Sequence, residues 1–330
     1  MPLDWSSREL YFALDAVRRA CRVTRSIQSG MNAVKMVKGD LSPVTVADFA
    51  AQALVAQSMI ETFPGAVLVG EEGADELRTP DAAEVLTLVT KYVATEVPGA
   101  SPAAICDWID HGQAEPSGRF WTLDPVDGTK GYLRGEQYAV ALALIEDGVV
   151  QLGVLGCPSL GQNCTLDGAG GVLVAALRGH GAARITLDGG DTFAPLHVSA
   201  CAEMRAARVL KSQEAAHTDA GGIGRLMQTL GIEAEPVSLD SQAKYALLAA
   251  GEGELLLRLL SPKQMDYKEK IWDQAAGSIV VEEAGGRITD LDGKPLDFTQ
   301  GRSLEANRGI CASNGPLHAA LLEALAQLQH

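Results

Sequence analysis

The sequence predicts a mixed α/β protein, on three observations. Short apolar runs such as Val140-Ala-Leu-Ala-Leu-Ile145 alternate with stretches of helical periodicity. Glycine is frequent, at 35 of 330 residues, and supplies the many turns that such an alternation needs. Hydrophobic residues make up 47% of a chain this long, so a substantial buried core is expected, in one large domain or two moderate ones.

Residues 8–30 place Leu10, Leu14, Val17 and Cys21 at the spacing of an amphipathic helix. A loop rich in Lys, Gly, Ser and Pro follows. A second, Ala-rich helix is expected from Asp48 to Thr62, stopped by Phe63-Pro64-Gly65, and the two helices should pair. Ala66–Gly70 reads as a short buried strand running into Glu71-Glu72, and Phe120–Leu123 as another running into Asp124-Pro125. Residues 138–156 read as two strands around the turn Glu146-Asp147-Gly148.

The Gly168–Gly171 cluster lacks the spacing of a phosphate-binding loop and precedes an apolar run, Val172–Leu177, so it is expected to be a turn into a strand. Further on, Val237–Leu239, Leu255–Leu260 and Ile310–Ala312 read as strands, with helices near 242–250, 273–284 and 316–328. A boundary near Cys157-Pro158 would divide an α+β domain, 1–157, from an α/β domain, 158–330, with the active site between them.

Forty-two acidic residues against 27 basic ones give a formal charge of −15, which disfavours nucleic-acid polymers and anionic membranes as partners. A small anionic substrate is compatible with that charge only where cations reverse the local potential. The six cysteines are scattered without a CxxC pair, which fits a reducing, cytoplasmic setting. The first residues lack the pattern of an export signal, and no apolar run has membrane-spanning length.

The strongest local signal is Leu123-Asp124-Pro125-Val126-Asp127-Gly128-Thr129, where a strand end and a proline-stiffened turn can aim two carboxylates and a carbonyl at one point. Mg²⁺ takes oxygen ligands of that kind, and Glu71 and Asp273 could complete a two-metal site. Taken singly, Asp-Pro-x-Asp-Gly is also an ordinary turn, Asp48 and Asp273 are also helix caps, and Thr129 is also an N-cap. The Thr129 hydroxyl could orient a water and pass its proton to Asp48, the positioning that phosphomonoester hydrolysis needs.

Taken together, Asp48, Glu71-Glu72, Asp124-Pro-Val-Asp127-Gly-Thr129 and Trp272-Asp273 followed by Gly285-Gly286 resemble the signature of the inositol monophosphatase-like, lithium-inhibited phosphatases, over nearly the whole chain. Within that superfamily, Asp40–Asp48, Trp121–Gln137, Ser212–His217, Asp240-Ser-Gln-Ala-Lys244-Tyr245 and Glu269-Lys-Ile-Trp-Asp273 resemble the 3′(2′),5′-bisphosphate nucleotidase group. Gln274, where histidine is common, and Tyr132, where phenylalanine is common, depart from the pattern without removing a metal ligand.

The resemblance implies a layered αβαβα sandwich of the inositol monophosphatase and fructose-1,6-bisphosphatase type. It implies that Glu71, Asp124 and the Val126 carbonyl hold one Mg²⁺, that Asp124, Asp127 and Asp273 hold another, with two or three ions in all, and that Li⁺ inhibits. Asp48 and Thr129 would activate water. Gly128, Ser241, Lys244 and Arg258 would lie against the substrate and its retained phosphate, with His217 and Thr218 near the base or ribose. The implied reaction is hydrolysis of adenosine 3′,5′-bisphosphate to AMP and phosphate by a monomer, a dimer remaining open. Rival expectations are an inositol phosphate phosphatase using the same metals and a non-catalytic nucleotide or metal sensor.

Overall fold

The computed structural model describes residues 3–34, 43–213 and 219–328. Two long helices open the chain, α1 (Arg8–Val34) and α2 (Pro43–Thr62), and they pack against each other as their apolar faces require. Strand β1 (Leu68–Gly70) follows, then α3 (Ala83–Val93), α4 (Pro102–Asp110), β2 (Arg119–Asp127) and the short α5 (Thr129–Arg134). Five more strands complete a first sheet: β3 (Ala139–Glu146), β4 (Val149–Gly161), β5 (Gly170–Leu177), β6 (Gly181–Thr186) and β7 (Ala194–Leu196). Its seven strands lie in sequence order, antiparallel except for the β1–β2 pair.

A second sheet is built from β8 (Val209–Lys211), β9 (Val237–Ser238), β10 (Leu255–Arg258), β11 (Arg287–Thr289) and β12 (Ile310–Ser313), in the order β11-β12-β10-β8-β9. The remaining helices are α6 (Ala220–Thr229), α7 (Ala243–Ala249), α8 (Ala275–Glu283) and α9 (His318–Leu328). Among the described residues, no helix is long and apolar enough to cross a membrane, and the cysteines are unpaired.

Both faces of the first sheet are buried, which explains why β3 reads as an unbroken apolar run rather than an alternation. Val140, Leu142 and Leu144 face α1 and α2. Ala141, Ala143 and Ile145 face the opposite way, against α7 and α8. The far side of those helices meets the second sheet, whose outer residues Leu255, Leu257 and Cys311 are covered by α6 and α9. The layers therefore run helix, sheet, helix, sheet, helix, the αβαβα sandwich expected. Close packing of the central layer depends on small residues: a Cβ on Gly277 of α8 would lie 2.2 Å from the Tyr245 ring of α7.

The expected elements are present with shifted ends. Helix α2 begins at Pro43, so Asp48 lies inside the helix, 8% exposed, and is not its cap. Asp273 is not a cap either, since Gln274 holds that position for α8. The expected boundary at 157/158 falls inside β4, which pairs on both sides, and the first sheet continues to Leu196. A division by sheets therefore falls after β7. Pro158 is tolerated there because the β4–β5 register shifts between Cys157 and Gly161, where no ladder N–H is required of it. Helices α3 and α4, within the segment Glu72–Phe120, helices α5 and α6, and strands β6, β7, β8 and β11 lie outside the expected elements.

His318 at the start of α9 is 1% exposed, its two ring nitrogens 3.0 Å from Ser313 Oγ and Thr289 Oγ1. Burial, with a smaller contribution from Arg287, pushes its pKa down to about 4. A depressed histidine pKa means that the unfolded chain binds the extra proton first, so its contribution is full above the ordinary value near 6.5 and is lost as pH falls toward 4. The urea midpoint of the native protein should thus fall more steeply between pH 7 and pH 5 than that of His318→Gln. Parallel slopes would show that His318 does not titrate on unfolding.

Candidate active site

Sequence separation alone would put Asp124 and Asp127 on opposite faces of β2, because strand side chains alternate. The structure resolves this with a bulge. Asp124 pairs with Ala141 and Asp127 with Ala139, so three steps on β2 match two on β3, and both carboxylates turn to one side. Asp273, just before α8, joins them: one ligand atom from each of the three lies within 4.8 Å of the others. Glu71 leaves the parallel neighbour β1 and lies within hydrogen-bonding reach of Asp124. Val126 points the other way, buried in the α2–α3–α4 corner of the core.

These groups strain against one another. Asp124 is held well above the usual carboxylate range by burial and then by Glu71, Asp127, Asp273 and Asp48. Asp127 is pushed up to about 6 by burial and Asp273, against the pull of Lys244. Glu71 rises to about 8, through desolvation and then repulsion from Asp273, Glu72 and Asp127. Asp48 is raised well above its ordinary value by burial and by Glu72 and Glu71, which places it beside the same cluster. Asp124 Oδ1 is buried with no hydrogen-bond donor. An orphaned carboxylate oxygen within a crowd of like charges is what a hard divalent cation would satisfy, and the donor set fits one.

Next to the carboxylates opens a cavity of about 750 Å³, including its mouth, between the ends of the two sheets. Gly128, Thr129, Ser241, Lys244 and Arg258 all line it, as do Asp127 and Asp273. Thr129 is exposed at the first position of α5. Gly128 caps that helix with φ +87°, and a Cβ there would lie 2.7 Å from Ser241 Cβ, so only glycine allows the approach of the two segments. Ser241 itself has φ +75°, a conformation unusual for serine. Its position is pinned from both sides: Arg134 bonds Asp240 at 2.6 Å, and the backbone N–H of Gln242 donates to Asp127 Oδ2.

Lys244 is buried, with its ammonium donating to the carbonyls of Ser241 and Leu239 at 2.8 and 3.2 Å. Burial pushes its pKa down to about 8 although Asp127 favours the charge. Arg258 forms an ion pair with Glu269 at 2.7 Å. His217 and Thr218 lie outside the described residues.

Several residues that hold this arrangement escaped sequence reasoning. Gln52 of α2 clamps both the N–H and the carbonyl of Glu72, at 3.0 and 2.6 Å. Gln242 links Asp127 to α8, accepting from Gly277 N at 3.0 Å and donating to Trp272 O at 2.9 Å. Arg302 donates to Gly70 O at 2.5 Å and stacks its guanidinium 5.0 Å from the Trp272 ring, touching the neighbours of both Glu71 and Asp273. Gln242 and Glu269 fall in phrases that carried the family resemblance; Gln52 and Arg302 had no local signal.

Comparison with solved structures gives the fold class. An IMPase from Thermotoga maritima matches with a TM-score of 0.64, covering 98% of each chain at 19% identity, so this is the inositol monophosphatase fold. The sequence goes further: the model of the inositol monophosphatase family matches residues 6–330, and the chain belongs to that family, which is metal-dependent. Among curated relatives, a protein of Emericella nidulans is 39% identical, over 96% of this chain and 97% of its own length. One of Oryza sativa is 42% identical, over 96% and 93%. Both are named 3′(2′),5′-bisphosphate nucleotidase.

Raised carboxylate pKa values mean that the metal-free fold holds protons the unfolded chain has released, so this contribution is lost as pH rises through about 6 for Asp127 and about 8 for Glu71. In chelator, the thermal midpoint should fall between pH 6 and pH 8, and millimolar divalent cation should raise it by several degrees and flatten the slope. A midpoint indifferent to cation would remove the metal site. Gly128→Ala should cost about 1–3 kcal/mol of stability from the forced backbone and contact. An unchanged unfolding midpoint would show that Ser241 yields freely.

Proposed function

We propose that this chain is a Mg²⁺-dependent, Li⁺-inhibited 3′(2′),5′-bisphosphate nucleotidase that hydrolyses adenosine 3′,5′-bisphosphate to AMP and phosphate. The sulfated relative, 3′-phosphoadenylyl sulfate, and the 2′,5′ isomer are further substrates of the same chemistry. The observation that carries this reading is near-full-length identity of 39% and 42% to relatives bearing that name. The pocket agrees with it, because two cationic side chains, Lys244 and Arg258, stand beside the carboxylate cluster and can receive a phosphate that the metals do not hold. A chain of charge −15 needs such a local reversal to admit a bisphosphate.

In this reading Glu71, Asp124 and the Val126 carbonyl hold one cation, and Asp124, Asp127 and Asp273 hold another. Bound there, the cations would neutralise phosphoryl charge and lower the pKa of water. Asp48, whose buried carboxylate has a raised proton affinity, accepts the proton of the attacking water by way of the Thr129 hydroxyl. The water oxygen bonds to phosphorus as the bond from phosphorus to the ribose oxygen breaks, and the departing oxygen takes a proton from solvent to become the hydroxyl of AMP. Gly128 leaves room for the phosphate at the start of α5, Ser241 and Arg258 face the retained phosphate, and Lys244 stiffens the 239–241 turn while adding positive potential. His217 and Thr218 are assigned to the base or ribose by resemblance alone. The protein is proposed to act as a cytoplasmic monomer.

Phosphate release with Mg²⁺ should be faster for adenosine 3′,5′-bisphosphate than for inositol 1-phosphate or inositol 1,4-bisphosphate, and Li⁺ should suppress it. Preference for an inositol phosphate would keep the metal chemistry and overturn the substrate, and no turnover would favour a sensor. Asp124→Asn or Asp273→Asn should lower turnover roughly 100-fold or more with the fold retained by circular dichroism. Lys244→Ala should raise KM more for the bisphosphate than for a monophosphate.

A further inference from the structure

Arg258 stands at the end of β10 with its guanidinium on the pocket wall and its Nε 2.7 Å from Glu269 Oε1. Glu269 is 3% exposed and sits behind that wall. Its second oxygen, Oε2, accepts from Gln274 Nε2 at 3.0 Å, and Gln274 Oε1 accepts from the Tyr245 hydroxyl. Gln274 and Tyr245 are themselves buried. A continuous chain of buried polar groups thus runs from α7 through the start of α8 to the pocket arginine.

The polarity of this chain is fixed by chemistry. A carboxylate only accepts, so Glu269 forces the amide N–H of Gln274 toward itself and leaves the amide oxygen for Tyr245. If Glu269 served only to cancel the charge of Arg258, its second oxygen would not need a tether to α8. Burying a carboxylate carries a desolvation cost of several kcal/mol, which only well-placed partners offset. Glu269 Oε2 has such a partner in Gln274, whereas Oε1 faces Arg258 Nε as an ion pair at 2.7 Å, with no hydrogen bond between them. The Tyr267 ring, 5.9 Å from the guanidinium, adds a flat surface beside it.

We propose that Glu269 is a positioning residue for Arg258: anchored through Gln274 and Tyr245, it draws the guanidinium by ion pairing to the place where it receives the uncleaved phosphate. It thereby sets the preference for doubly over singly phosphorylated nucleotides without touching the substrate. The proposal rests on the bisphosphate reading above. It assigns specificity to a residue behind the pocket.

The test compares kcat and KM for adenosine 3′,5′-bisphosphate and adenosine 3′-monophosphate, in Mg²⁺, for the native enzyme, Glu269→Ala, Glu269→Asp, Arg258→Ala and the Glu269→Ala/Arg258→Ala pair. The ratio of kcat/KM between the two substrates should fall about ten-fold in Glu269→Ala, through KM, the loss of one charge-assisted contact. Glu269→Asp should recover part of it, and Glu269→Ala should have little further effect on the ratio once Arg258 is gone. Equal losses on both substrates, a loss confined to kcat, or additive effects in the pair would overturn the proposal. Should Glu269→Ala not fold, Glu269→Gln keeps the volume: a several-fold fall in the ratio supports positioning, and a rise, as charge cancellation would give, overturns it. A native enzyme with no preference for the bisphosphate overturns the bisphosphate reading itself, whereas native preference surviving in Glu269→Ala overturns only the role of Glu269.

Discussion

Glu71, Asp124, Asp127 and Asp273 converge where β1 and β2 end, and burial removes much of the water that would otherwise screen them. Burial and neighbouring carboxylates raise the proton affinity of Asp124, Asp127 and Glu71, and Asp48 joins them from α2. Such a cluster is tolerable in a fold only if something positive is destined for it, because like charges in a medium of reduced dielectric repel over several ångströms. The surrounding structure is arranged to keep them crowded. The bulge in β2 brings two of the four to one side, the parallel β1–β2 pair brings the third, and the start of α8 brings the fourth.

Neutral amides do much of the holding. The Gln52 side chain grips both backbone groups of Glu72, and Gln242 bonds Asp127 with its backbone N–H while its side chain reaches Trp272 and Gly277. An amide offers a donor and an acceptor without adding charge, so it can fix a carboxylate segment without competing with a cation for it. Arginines also brace the segments that flank the cluster: Arg302 holds Gly70 and Trp272, and Arg134 holds Asp240. The pocket cations are restrained in the same spirit: Lys244 by two carbonyls and Arg258 by Glu269.

The five-layer sandwich makes this economy possible. Helices α7 and α8 form the central layer, shared by both sheets, and the starts of both helices reach the site. Pocket-lining groups from the second sheet and carboxylates from the first are thereby held in one frame, packed through residues as small as Gly277. A change in that layer would be felt at the cluster and in the pocket together.

The order of the apolar runs, the pairing of α1 with α2, the hairpin around Asp147 and the identities of the clustered carboxylates were legible in the sequence, because each depends on local periodicity, turn chemistry or residue types at short spacing. Helices α3 and α4 were not legible, lying in a segment whose register the sequence left open, and residues 157/158, the expected boundary, fall inside β4, where a bulge lets proline sit in a paired strand. The convergence of Asp124 with Asp127 also depended on a bulge, set by the pairing of β2 with β3 rather than by either strand alone. The sequence by itself determined which chemical groups are available and roughly on which elements they ride. Only the tertiary structure decided that Gln52, Gln242, Glu269 and Arg302 hold those groups in place, since residues from opposite ends of the chain become neighbours only when the sheets and helices pack.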